Sequence, residues 1–188
     1  DHRDLHVRSR RQRQMCIRDS DTTAWPEFTC GASQTSGTFR LVTSCTLTDD
    51  IELSGDLTII GQTEDMNNLK TITAAATSRH FTIGTTASVG HTLNLWYVKL
   101  TGGDVTSFTS APASWGAGIL IYRKGGELNL YHSELSSNKG DRGAAISAYG
   151  ESDQNNVVVN IYSSVVKNNE AAYYGGGIRI ENGVLTVE

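Results

Sequence analysis

Residues Leu128–Asn138 read LNLYHSELSSN, and the same shape occurs twice more. It returns as LNLWYVKLTGG over Leu93–Gly103 and as VNIYSSVVKNN over Val159–Asn169. The shared order is apolar, Asn, apolar, aromatic, three variable residues, then apolar. LTII from Leu57 and LTVE from Leu185 are weaker copies, so the anchors lie 36, 35, 31 and 26 residues apart. In an extended strand this alternation sends Leu128 and Leu130 to one side and Asn129 and Tyr131 to the other. A unit of about thirty residues with two or three such strands cannot bury its apolar side alone, but it can when stacked on its neighbours.

A second series runs between the first. GAGI starts at Gly116, GAAI at Gly143 and GGGI at Gly175. Each glycine follows a loop and precedes a strand, where positive φ or close backbone approach is expected. The longer of the two spacings accommodates a polar insertion, Gly150–Asn156, as a loop on a fixed scaffold would. If equivalent strands pair in parallel about 4.8 Å apart, Leu93, Leu128, Val159 and Leu185 form one interior column. Leu95, Leu130, Ile161 and Val187 form a second, and Ile119, Ile146 and Ile178 a third. Asn138 and Asn169 end aligned segments, where Asn tolerates left-handed backbone and can hydrogen-bond along a column. The expectation is an all-β parallel solenoid.

These residues carry a family resemblance. The paired signature G-G-A-I … F-x-x-N marks the repeats of the polymorphic outer-membrane proteins and related pectin-lyase-like β-helices. Here GAAI and GGGI match the first half, and LSSN (Leu135–Asn138) and VKNN (Val166–Asn169) the second. Leu135 and Val166 replace the Phe. The chain resembles that family well over residues 90–188 and loosely over 37–89. The resemblance implies a right-handed parallel β-helix, an architecture that hosts adhesins, lyases, hydrolases and passive stalks.

The first twenty residues, DHRDLHVRSRRQRQMCIRDS, break the pattern. They read either as a native basic arm or as translated adapter DNA. Arg10 to Asp19 back-translate, codon by codon, to a transposase-type sequencing adapter. Asp1 to His6 fit the flow-cell end of the same oligonucleotide, in the same frame and order, and Val7 to Ser9 span its variable index. That coincidence of frame and order decides for a non-native, disordered segment at 1–20, which is excluded from fold reasoning. Six arginines and three aspartates leave with it, so the formal charge moves from −4 to −7. An acidic chain does not attract phosphate backbones, so nucleic acid is not an expected partner. Residues 21–36 read as an N-terminal extension or a cap, and 37–188 as the β-helix. The last strand stops within a repeat, which suggests a truncated fragment.

About 168 remaining residues suffice for one domain. Gly, Ser, Thr and Asn are abundant, good helix-forming stretches are nearly absent, and no apolar run approaches a membrane-spanning length. Cys30 and Cys45 are either two buried thiols or a disulfide, and the extracellular character of the composition favours the disulfide.

Chemistry is sparse. Asp49 and Asp50 are adjacent carboxylates in TLTDDIELSG, where a turn explains them without catalysis. His80, His91 and His132 show no metal-ligand spacing, and His80 reads as a surface or edge residue. Neither GGD at Gly102 nor KGDRG at Lys139 repeats in tandem, as calcium-binding glycine-rich motifs do. No catalytic residue, metal or cofactor is assigned. The outward side carries Trp96, Tyr131 and Tyr162 beside Asn94, Asn129 and Asn160. This ladder could stack on sugar rings, or it could stack on itself to hold the solenoid together. The expected function is a non-catalytic, secreted or cell-surface scaffold, adhesin-like or structural, that meets glycans or other surface proteins. The alternatives are a piece of a polysaccharide lyase or glycoside hydrolase, and a carbohydrate-binding β-helix.

Overall fold

A computed structural model describes residues 25–31, 34–84, 90–123, 125–151 and 157–188. The segment 1–20, the start of the 21–36 extension and most of the Gly150–Asn156 insertion lie outside the described residues.

Every named element is a strand. The first circuit comprises β1 (Gly37–Leu41), β2 (Cys45–Thr46) and β3 (Ile51–Glu52), and the second β4 (Leu57–Gly61), β5 (Lys70–Thr73) and β6 (Phe81–Ile83). The third holds β7 (Thr92–Trp96), β8 (Val98–Thr101) and β9 (Ile119–Tyr122). The fourth adds a strand: β10 (Glu127–Tyr131), β11 (Glu134–Ser136), β12 (Lys139–Arg142) and β13 (Ile146–Tyr149). The fifth repeats that plan with β14 (Val157–Tyr162), β15 (Val165–Lys167), β16 (Glu170–Tyr174) and β17 (Ile178–Glu181), and β18 (Gly183–Val187) follows.

The strands fall into parallel sheets. One is ordered β1-β4-β7-β10-β14-β18, the second β15-β11-β8-β5-β2 and the third β17-β13-β9-β6-β3, while β12 and β16 form a small fourth. The chain visits the first three in turn, and each return pairs in parallel with the preceding visit. Leu128 is in register with Leu93 on one side and Val159 on the other, and Val159 with Leu185. The three expected columns are therefore present, and Leu57, Ile59 and Phe81 extend them. Leu93, Leu128 and Val159 are fully buried. Each such side chain contributes about 2 kcal/mol of apolar burial, the force that fixes the register.

Left-handed residues turn the corners. Tyr97, His132 and Ser163 follow the first-sheet strands with φ of 55°, 48° and 46°. The serine after the turn closes it: Ser133 Oγ accepts from Val98 N at 3.2 Å, and Ser164 Oγ from Ser133 N at 3.0 Å. Before the third sheet, Gly116, Gly143 and Gly175 take φ of 57°, 54° and 57°, as their place in the repeat suggests. A Cβ on Gly143 would lie 2.3 Å from the Ile146 carbonyl oxygen, so no other residue fits there.

The 25–31 segment lies along the free side of β1. Phe28 N donates to Arg40 O at 2.7 Å and Arg40 N to Pro26 O at 2.9 Å. Phe28 is buried edge-on against Phe39, and Cys30 is joined to Cys45 by a disulfide.

Candidate functional site

The outward ladder of the first sheet is built as its repeat dictates. Asn94, Asn129 and Asn160 are in register, and their amides bond in series. Asn160 Nδ2 donates to Asn129 Oδ1 at 2.9 Å, Asn129 Nδ2 to Asn94 Oδ1 at 3.0 Å, and Asn94 Nδ2 to Thr58 Oγ1 at 3.2 Å. The amides face one another. Beside them the Trp96 and Tyr131 rings stack at 3.8 Å and 13°, and Tyr131 and Tyr162 at 5.0 Å and 19°. Trp96 is on the outer side yet only 7% exposed. One corner further on, Tyr97 stacks on His132 at 5.0 Å.

A second aromatic group covers the outer side of the third sheet. Tyr122 stacks on Tyr149 at 5.5 Å, and Trp115 packs against both. Trp115, Arg142 and Tyr174 are aligned across successive circuits, with Arg142 5.1 Å from the Trp115 ring and 5.2 Å from that of Tyr174. The sequence marks Trp115 and Tyr174 through the glycines that follow them. It does not reveal the guanidinium between them.

The structure brings together one group that the repeat alone does not. Just before the third-sheet strands, the third, fourth and fifth circuits carry small pairs, Ala117-Gly118, Ala144-Ala145 and Gly176-Gly177. The first two circuits carry Asp49-Asp50 and Arg79-His80 in those places. The signal that could have found them is this departure from the small pairs.

His80 corrects the expectation of a surface residue. Its ring fills the space that glycine or alanine leaves in later circuits, and it is fully buried. Nε2 lies 3.1 Å from Ile72 O and 3.0 Å from Thr101 O, and Nδ1 lies 3.3 Å from Ala117 O. Desolvation outweighs these carbonyls and lowers its pKa to about 4, so the ring is neutral at pH 7.

Arg79 is 7% exposed, and its Nη2 donates to Ala113 O, fastening the long 102–118 loop to the second circuit. A cleft of about 240 Å³ opens beside it, lined by Thr48, Asp49, Asp50, Ser78, Arg79 and Phe108 among others. Asp49 Oδ1 accepts from Asp50 N at 2.9 Å, and Thr82 Oγ1 donates to Asp50 Oδ2 at 3.3 Å. Desolvation raises the Asp50 pKa against the pull of Arg79, and the Asp49 charge adds to the rise. Phe108, 41% exposed, stands at the cleft on the fastened loop.

Among the described residues there is no group of three or more metal-ligating side chains and no helix long and apolar enough to cross a membrane. Comparison with family models, curated proteins and solved structures finds no match to this chain.

Proposed function

We propose that the chain is a right-handed parallel β-helix serving as a non-catalytic scaffold of a secreted or cell-surface protein, adhesin-like or structural. The observation that carries this reading is the self-satisfied outer ladder. Stacked rings 3.8 Å apart have no room for a sugar between them, and Trp96 is buried. The Asn94, Asn129 and Asn160 amides bond to one another in series. Such ladders hold neighbouring strands in register without a ligand. The Cys30–Cys45 disulfide agrees with an oxidising compartment.

Trp96→Ala and Tyr131→Ala, compared by chemical denaturation and on a glycan array, test this role. The expected outcome is a loss of about 3 kcal/mol of stability for Trp96→Ala, with no glycan signal in the parent protein. Specific glycan binding by the parent that Trp96→Ala abolishes, with stability unchanged, would establish the carbohydrate-binding β-helix instead.

The second reading, polysaccharide cleavage by a pectin-lyase-like fold, draws on the Asp49, Asp50 and Arg79 corner. Its weakness is geometric. Asp49 and Asp50 are adjacent on one turn, where Asp49 Oδ1 accepts from the Asp50 backbone N at 2.9 Å, whereas paired acids for glycoside hydrolysis flank the scissile bond about 5–9 Å apart. Incubation with polygalacturonate is expected to yield neither new reducing ends nor unsaturated product.

A further inference from the structure

We propose that the cleft between the first and second circuits is a docking site for an organic cation, the ammonium or guanidinium head of a basic side chain on a partner protein. This goes beyond the scaffold role and does not depend on it.

Three observations lead there. First, the repeat is broken at this corner. Where the third to fifth circuits place alanine and glycine, the first two place Asp49, Asp50, Arg79 and His80. The later circuits keep small residues there: a Cβ on Gly118 would lie 2.3 Å from the Ala145 carbonyl oxygen. Larger polar residues occupy those positions in the first two circuits, and Asp49, Asp50 and Arg79 line the cleft there.

Second, the charges at the wall do not balance. Two carboxylates and one guanidinium line the cleft. Arg79 is committed, with Nη2 on Ala113 O and its charge against Asp50. Asp50 is held by Thr82. Asp49 gives one lone pair of Oδ1 to Asp50 N and keeps acceptor capacity on an exposed carboxylate. An added cation would relieve the repulsion between the two acids.

Third, the rim is aromatic. Phe108 is an exposed large apolar side chain, and Arg79 fixes its loop through Ala113. A carboxylate beside an accessible ring is the pairing that recognises an alkylammonium or a guanidinium, through a charge-assisted hydrogen bond and a cation–π contact. About 240 Å³ accommodates one such head group with part of its stem. Anions are repelled by the acid pair.

The test titrates the protein with N-acetyl-lysine methylamide and N-acetyl-arginine methylamide, followed by amide chemical shifts at pH 7. Methyl glucoside and calcium chloride serve as parallel titrants. Both Asp49 and Phe108 are exposed, so Asp49→Asn and Phe108→Ala are expected to fold as the parent does. The expected result is saturable shifts at Asp49, Asp50, Ser78 and Phe108 with a basic titrant, weakening as salt is raised. Asp49→Asn should weaken binding about tenfold, and Phe108→Ala about two- to fivefold. Shifts at those residues with methyl glucoside or calcium, and none with the basic titrants, would overturn the proposal. So would basic-titrant affinity that neither variant changes. A parent spectrum unmoved by any titrant also counts against it.

Discussion

His80 shows how far one residue can depart from its surroundings. Its neutral ring sits among the carbonyls of Ile72, Thr101 and Ala117, in a position that later circuits reserve for alanine or glycine. The folded pKa of about 4 lies below the ordinary value of 6.5. Between those values the unfolded chain binds a proton that the folded chain refuses, so stability rises with pH across that window. Stability linked to His80 should be complete above pH 6.5 and lost as pH falls to 4, a drop of about 3 kcal/mol. Urea unfolding at pH 7, 5.5 and 4 measures this, and His80→Gln should flatten the profile. Glu134 acts in the same direction at lower pH. Desolvation alone would raise its carboxyl, but Lys167, Ser136 and Lys99 prevail and hold it at about 2. Its contribution is present above pH 4.5 and fades as pH falls toward 2. The burial of His80 is not legible locally, because nothing in SRHF says that the ring turns inward. Only alignment of Ser78–Phe81 with GAGI, GAAI and GGGI puts it in the interior.

At the scale of elements, what holds a corner differs from what holds a strand. Asn138 is fully buried after β11 and bonds in both directions along the stack. Its Oδ1 accepts from Gly103 N at 3.0 Å, and its Nδ2 and backbone N donate to Asn169 Oδ1 at 2.9 Å and 3.0 Å. Replacing it with alanine orphans the Gly103 amide and should cost about 2 kcal/mol, read from denaturant midpoints. Asn160→Ala, on the half-buried outer side of β14, should cost under about 1 kcal/mol. The Asn138–Asn169 column was legible because both residues end aligned repeats. The first-sheet strands β4, β7, β10, β14 and β18 were legible too, since apolar alternation and spacing agree there. β12 and β16 were not. KGDR and EAAYY show no alternation, and their pairing is supported by ladder hydrogen bonds and the exposed Lys139–Glu170 ion pair at 3.1 Å. β2 and β3 have two residues each, too few to carry a pattern.

For the whole molecule, stability should be uneven. The interior columns are sealed through the middle circuits, whereas Val184, Leu185 and Val187 of β18 are 50%, 45% and 65% exposed. Amide hydrogen exchange should therefore be slowest in β7 and β10 and fastest in β17 and β18. At the other end, the Cys30–Cys45 disulfide ties the 25–31 segment to β2. Its loop spans fifteen positions, so reduction should lower stability by about 3 kcal/mol on a chain-entropy argument, measurable by unfolding with and without reductant. The sequence permitted that pairing but left free thiols open, because fifteen positions of chain allow many separations of the two sulfurs. The cleft was the least legible feature. Asp49 and Asp50 are visible as a pair, yet their juxtaposition with Arg79 and Phe108 depends on loop lengths across three circuits.

All of these expectations rest on the side-by-side register of Leu93, Leu128 and Val159. Nuclear Overhauser spectroscopy on protein labelled at leucine and valine methyl groups reads that register directly. Strong cross-peaks from Leu128 to both Leu93 and Val159, with a much weaker one between Leu93 and Val159, are the expected result. Leu128 methyls that contact neither residue, or that contact Tyr131 and Asn129 in their place, would contradict it.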